Sequence, residues 1–366
     1  MKKRIYWWVT ALPALVLLVT AEAYAGAISP ALERPAVSVR SAHRSVLLAA
    51  TLAGPRVVAV GERGVVVLSD DDGIHWRQAR QVPVSVTLTA VQFVGAREGW
   101  AVGHGGVILR TVDGGENWNL VADGDRLASI ALEAANMRMR NAPGDEAAAK
   151  HLRAADRFAR DAGNSPLLDL HFLDAQHGYV VGAYGLFFET RDGGGTWSAA
   201  MDRLHNPEGL HLYAIRARGK DVFIVGEQGL IRRSQDDGRT FHALPTPYDG
   251  SWFGLALLPD GLVVVGLRGN AFHSADDGQV WTRIEGGAAV SLLAVAPKED
   301  GSVLIASQAG QVFASQDRRV MTPVVMPLLP PLAGVIPLSK GAVIAYGIGG
   351  VVRLPQPTEE QVSARP

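Results

Sequence analysis

Trp100-Ala-Val-Gly103-His-Gly-Gly106-Val-Ile-Leu-Arg-Thr111-Val-Asp113-Gly-Gly115-Glu-Asn-Trp118 is the stretch from which the architecture follows. Two apolar runs flank a glycine turn, and a second turn of the form Ser/Thr-x-Asp-x-Gly-x-x-Trp closes the unit, which reads as strand, hairpin, strand, hairpin and the start of another strand. The unit recurs at residues 57–76, 179–197, 223–241 and 263–281. A sixth copy at 304–317 keeps Ser315 and Asp317 but carries Arg319 where the turn glycine belongs, and a seventh at 343–354 keeps only its strands and Gly347-x-x-Gly350. The closing aromatics Trp76, Trp118, Trp197, Phe241 and Trp281 stand 42, 79, 44 and 40 residues apart, so one step holds about 37 extra residues.

A period near 40 with four short strands per unit predicts an all-β, seven-bladed β-propeller, in which radial repetition leaves few open sheet edges. The strand completing each blade comes from the apolar run ahead of each Val-Gly, at 46–50, 88–94, 167–173, 212–217, 253–258, 292–296 and 332–336. These are expected to line the axis. With 366 residues, 48% hydrophobic, 41 glycines and 20 prolines, the composition suits a large turn-rich fold. A formal net charge of −1 leaves no polycation for nucleic acid.

Residues 1–25 have a basic start, an apolar core over 5–21 and Ala23-Tyr-Ala25 as a small-residue cleavage site, the pattern of a secretory signal peptide cut after Ala25. Pro13 and the shortness of the core argue against a spanning anchor. Residues 26–366 then form the exported propeller, and without cysteine its stability must come from packing rather than disulfides. The expected location is the periplasm. The last unit is one strand short, and the segment 36–40 is expected to join it as the missing strand, closing the open edge. The insertion between blades 2 and 3, about 120–164, is rich in Ala, Arg and Met and reads as a helical hairpin leaning on the propeller. Its first helix, 127–141, presents Ile130, Ala134 and Met137; its second, capped by Asp145, presents Leu152, Ala155 and Phe158.

The repeated turns hold Asp71, Asp113, Asp192, Asp236 and Asp276. A carboxylate accepting backbone N–H groups, a glycine free to take positive φ and an aromatic ring packed between sheets are what a sharp hairpin needs. Five copies of one turn mark a scaffold. A calcium site would need six or more oxygen ligands, so neither metal nor cofactor is expected. His171, His177, His205 and His211 lack metal spacing, and no His-Glu-x-x-His, phosphate loop or Gly-x-Ser-x-Gly occurs.

Blade topology places a surface. If the Val-Gly-x-x-Gly turn joins the second strand to the third and the Asp turn joins the third to the fourth, the two lie on opposite faces. Links between blades, and hence the insertion, fall on the Gly-x-x-Gly face. That face collects Glu62, Arg63, His104, Tyr184, Glu227, Gln228, Leu267 and Arg268, a mixed polar, charged and aromatic set suited to holding a peptide or protein segment.

The Ser/Thr-x-Asp-x-Gly boxes are those of bacterial-neuraminidase-type repeats. The fuller pattern Gly-Trp/Tyr-x-Val-Gly-x-x-Gly-x-x-x-x-Thr-x-Asp-Gly-Gly-x-x-Trp, seen at 99–118 and 178–197, resembles the photosystem II stability/assembly factor family over most of the mature chain. The resemblance implies a non-catalytic propeller scaffold that holds a membrane or exported protein during assembly, with membrane association through that partner. The alternative is a sialidase-like glycoside hydrolase, which shares the Asp boxes. Hydrolysis needs two carboxyl groups about 5–9.5 Å apart, whereas Glu62 and Glu227 belong to the first and fourth blades, and no Phe/Tyr-Arg-Ile-Pro motif or arginine triad is recognisable.

Overall fold

Among the described residues every repeat unit forms one antiparallel sheet, giving six four-stranded blades and a final three-stranded one. The computed structural model describes residues 30–354 apart from Ala288 and Lys340; the leader, the cut after Ala25 and the tail after Leu354 lie outside the described residues. In blade 1 the strands Leu47–Ala53, Arg56–Gly61, Val66–Ser69 and Arg77–Gln78 pair in chain order. The seven inner strands are Leu47–Ala53, Leu88–Val94, Leu167–Phe172, Leu212–Arg218, Trp252–Leu258, Leu292–Pro297 and Leu332–Pro337. They pack on one another in a closed circle and are the apolar runs expected to surround the axis. The second strands are covered on both sides by neighbouring blades, which is why Val57, Val58, Ala59 and Val60 form an unbroken buried run rather than an alternating one.

The closing aromatic of each turn wedges into the interface with the preceding blade. Trp118, fully buried, sits among Val58, Val60 and Leu68 of blade 1 and meets Phe93 edge-on at 5.9 Å. Phe241 does the same between blades 3 and 4, meeting Phe187 at 5.5 Å. The turns show why the box recurs. Ser69 Oγ donates to Asp71 Oδ1 (2.9 Å) and accepts from Gly73 N–H (2.9 Å), while Asp71 Oδ1 also accepts from His75 N–H (2.8 Å). Glycine is required at Gly73, whose φ is +80°. The His75 amide holds the Asp71 carboxyl at about 2, and bonds from the Thr240 hydroxyl and amide do the same for Asp236. In the eroded sixth unit Ser315 Oγ donates to Val320 O instead, and Asp317 alone gathers the amides of Arg319 and Val320.

Ion pairs staple neighbouring blades on this Asp-turn face. Glu116 of blade 2 takes Arg56 (3.1 Å) and Arg77 (2.5 Å) of blade 1; Asp277 of blade 5 takes Arg233 of blade 4 (2.8 Å). Glu189, only 5% exposed, is met by His177, Arg191 and Arg203.

The segment 36–40 does not complete the last blade. Ala36 N–H donates to Val82 O (3.0 Å), and Gln78 Oε1 accepts from Val39 N–H (2.9 Å) while Gln78 Nε2 donates to Val37 O (3.0 Å), which holds the segment beside the outer strand of blade 1. The ring closes instead by packing: Tyr346 of blade 7 joins Leu47, Ala59 and Val67 of blade 1, and Arg353 Nε donates to Asp72 O (3.0 Å).

The insertion forms two helices, α1 (Gly124–Asn141) and α2 (Glu146–Arg160). Asp145 caps α2 through Ala147 N–H, as expected, and Asp123 caps α1 through Arg126 N–H, starting it three residues earlier than the sequence suggested. The buried face of α1 is Leu127, Ala128, Ala131 and Ala135, not Ile130, Ala134 and Met137. Small side chains let the helix backbone approach the blades closely, so the alanine stripe wins the contact and Met137 remains 50% exposed. On α2, Ala155 and Phe158 are buried, with Phe158 against Phe188 of blade 3.

Candidate functional site

Strand order within the blades puts the Gly-x-x-Gly turns, the blade-to-blade links and the helical hairpin on one face and the Asp turns on the other. At the tips of the Gly-x-x-Gly turns Arg63, Tyr184, Gln228 and Arg268 take φ of +54°, +57°, +50° and +57°; the turn thrusts each one outward, and each is exposed. His104 is exposed as well, in a turn where Gly105 holds the corresponding φ. Arg63 and Arg268 have no ion-pair partner among the described residues. Glu62 and Glu227 are used otherwise. Glu62 Oε1 accepts from Val46 N–H (3.4 Å) and Glu227 Oε2 from His211 N–H (2.8 Å), so each carboxylate ties its turn to the start of the inner strand. The Glu227 carboxylate also faces Tyr213, whose phenol is raised by burial and by that charge.

The sequence did not reveal what lies inside this ring. Every inner strand slips register near its start: the pairing skips Leu48, Thr89, Leu168, Tyr213, Phe253, Leu293 and Ala333. Such bulges re-aim a side chain, and all seven skipped residues are half-exposed. They stand at the Gly-x-x-Gly end of the inner strands, mostly apolar beneath polar tips. Between blades 3, 4 and 5 they join an aromatic file: Tyr184 to His211 (4.9 Å), His211 to Tyr213 (6.2 Å), Tyr213 to Phe253 (5.2 Å). Tyr184 N–H donates to His211 Nδ1 (3.0 Å), fixing the rim of the file. A signal was available, since the residue two places after each inter-blade link is the skipped one, but its chemistry varies too much from copy to copy to form a motif.

Beside Tyr184 a cleft of about 1370 Å³ opens between the hairpin and the link from blade 3 to blade 4. Ile130, Ala134, Met137 and Met201 line it, and Arg138 pairs with Asp202 across it. His205 also lines this cleft. Two further histidines serve the fold: His171, on an inner strand, is lowered to about 4 by burial and by Arg216, and His177 lies between Glu189 and Asp237 on the other face. Asp71, Asp113, Asp192, Asp236 and Asp276 all serve their own turns. Among the described residues no group of three or more His, Cys, Asp or Glu could hold a metal ion.

A family model described as "Photosynthesis system II assembly factor YCF48" matches residues 46–141 and 160–319. The gap between the two matched segments falls within the helical hairpin, at α2 and its approach. The photosystem II assembly lipoprotein Ycf48 of Synechococcus sp. (strain CC9902) is 35% identical over 77 residues, which is 21% of this chain and 23% of that protein. Among solved structures, "YCF48 bound to D1 peptide" has 16% identity with a TM-score of 0.61, covering 90% of this chain and 99% of that one. YCF48 from Cyanidioschyzon merolae has 16% identity and a TM-score of 0.60, covering 86% and 96%. The WD40 propeller domain of Doa1 reaches a TM-score of 0.63 at 12% identity, covering 90% and 98%. At these identities the structural likeness shows the fold alone.

Proposed function

The chain belongs to the photosynthesis system II assembly factor YCF48 family, and from that premise we propose that it is an exported, non-catalytic assembly factor that holds a segment of a membrane or exported protein on its Gly-x-x-Gly face. The observation that carries this reading is the half-exposed apolar ring, Leu48, Leu168, Tyr213, Phe253 and Leu293, beneath the exposed tips Arg63, Tyr184 and Arg268. An apolar centre with a polar rim containing Arg and Tyr is the anatomy of a protein-binding surface. That a solved YCF48 carries a D1 peptide supports a membrane-protein client. The signal-like residues 1–25 support export and a periplasmic place of work.

The family consists of assembly factors rather than enzymes. The geometry favours the same side: Glu62 and Glu227, the carboxylates considered for a sialidase-like reaction, belong to blades 1 and 4 and are bonded to backbone amides, while the box aspartates lie on the opposite face.

The test is capture from detergent-solubilised membranes by immobilised protein, wild type against Arg63→Ala/Tyr184→Ala/Arg268→Ala. The exposed tips contribute within about 0.5 kcal/mol each to folding, so the triple variant should keep its melting temperature and lose its client. Undiminished capture would overturn the assignment of the face. Turnover on a panel of glycosides would overturn the non-catalytic reading.

A further inference from the structure

We infer that His211 is the positioning residue for the rim of the client face, and that its protonation frees that rim, so the face grips its client at neutral pH and loosens as pH falls through the imidazole range. The inference rests on the reading of this face as the working one and adds what regulates it.

The repeat builds the position. In every blade the turn between the second and third strands donates its first amide to the carbonyl of the residue just ahead of the inner strand, at 2.9–3.1 Å. That residue is Val46, Thr87, Pro166, Ser251, Ser291 or Pro331 in six blades and His211 in blade 4. Only in blade 4 does the position carry an ionisable side chain. The imidazole reaches across to blade 3, where Tyr184 N–H donates to Nδ1 at 3.0 Å. Arg63, Gln228 and Arg268 hold the same place in their own turns, and among the described residues no side chain accepts from their amides.

A backbone amide can only donate, so Nδ1 is the bare nitrogen of the ring and the proton sits on Nε2. Protonation sets a second N–H head-on against that of Tyr184, and the bond is lost. Glu227 Oε2 stands 3.6 Å from the same Nδ1. A small rotation of the ring gives the new proton to that carboxylate, so the imidazole changes partners, from the rim of blade 3 to the turn of its own blade.

Two effects then weaken the grip together. Tyr184 holds a φ of +57°, which a tyrosine adopts only where its surroundings impose it, and the bond to His211 is one of the contacts that do so. Once released, this exposed ring has to be ordered by the client itself, at a cost to binding. His211 also meets the Tyr184 ring edge-on at 4.9 Å, so an apolar segment lying on the aromatic file covers an imidazolium, which is unfavourable. The other ionisable groups around the ring are few. Tyr213 follows on its own strand, its phenol raised by burial and by Glu227; Glu227 is its only ion-pair partner among the described residues; and His205 and Glu208, on the link from blade 3, line the cleft beside Tyr184.

Amide and ring nitrogen resonances of nitrogen-15-labelled protein, followed from about pH 8 to about pH 5, the range in which imidazoles titrate, test the switch without a client. At the alkaline end His211 should carry its proton on Nε2 and the Tyr184 amide should exchange slowly, and both should change in one shared transition. His211→Asn supplies a carbonyl acceptor that does not titrate, so its Tyr184 amide should stay in place throughout. Glu227→Gln should move the transition to lower pH by removing the carboxylate that receives the proton, and His205→Gln should leave it unchanged. A proton on Nδ1 at the alkaline end, a Tyr184 amide that ignores the ring, or one that moves equally in His211→Asn overturns the inference. Capture from detergent-solubilised membranes reads the consequence: between about pH 7.5 and about pH 5.5 the wild type should lose about tenfold in client held, and His211→Asn should show a ratio near one. Equal ratios in the two proteins overturn the inference. Absence of capture at either pH counts against the proposed function alone, because the resonances judge the switch by themselves.

Discussion

Replacing Trp118 by alanine probes the packing that makes seven separate sheets one body. The ring is 1% exposed between blades 1 and 2, meets Phe93 edge-on at 5.9 Å, and donates from Nε1 to Gly115 O at 2.9 Å. Deleting a fully buried aromatic costs about 3–5 kcal/mol, and losing the edge-on pair and the Nε1 bond places this site in the upper part, at about 4–5 kcal/mol. At roughly 2 °C per kcal/mol for a chain of this size, the melting temperature should fall by about 8–10 °C. Trp281 is the internal comparison: it closes the same turn in blade 5 and donates to Pro245 O at 2.9 Å, but it is only half-buried. Trp281→Ala should therefore cost about 2 kcal/mol, from its smaller buried area. Differential scanning calorimetry with urea melts reads both. A loss at Trp118 below about 1 kcal/mol, or a loss at Trp281 equal to it, would refute the argument that these rings stabilise by wedging between blades.

Other consequences follow from the buried and turn-held charges. Asp71 and Asp236 titrate at about 2 in the fold, below the unfolded value near 4; their contribution is present above about pH 4 and lost as pH falls toward 2, and Asp71→Asn/Asp236→Asn should flatten that part of an acid-denaturation curve. His171, lowered from 6.5 to about 4 by burial and Arg216, stays neutral in the fold while the unfolded chain takes up a proton, so about 3 kcal/mol should be lost between pH 6.5 and 4; an unchanged slope in His171→Gln would contradict this. Arg203→Ala removes a 2.8 Å partner of the buried Glu189 and should cost about 1–3 kcal/mol, with Glu189→Gln in the same background restoring part of it in urea melts. Calcium should leave the melting temperature of wild type and Asp113→Ala unchanged, because the Asp113 carboxylate is already used by Thr111 and Asn117; a calcium-dependent rise would reopen the metal reading.

The blade count, the inner strands and the opposition of the two turn types were legible because each rests on a pattern repeated several times. Positions fixed by one local contact were not. The segment 36–40 looks like a strand, yet the Gln78 side chain supplies the bonds that a neighbouring strand would have offered. The buried stripe of α1 was misread because alanine carries little hydrophobic signal while enabling the closest approach. The bulges escaped because Leu48, Thr89, Tyr213 and Ala333 share a place but no chemistry. Choosing variants from the sequence alone would also mislead: Glu116 and Asp237 look like neutral controls on the Asp-turn face, but they hold Arg77 and Arg191 of preceding blades. The exposed Ile74 and Val280 serve better. Excising the hairpin would strip Leu127 and Phe158 from the core between blades 2 and 3, where Phe158 meets Phe188.

Site-specific photocrosslinking in living cells tests the central claim most directly. With a photoreactive amino acid at position 63, 184, 74 or 280 in turn, the account predicts that 63 and 184, two blades apart on the Gly-x-x-Gly ring, join the same client, and that 74 and 280 on the Asp-turn face join none. A client captured from 74 or 280 and not from 63 or 184 would contradict it.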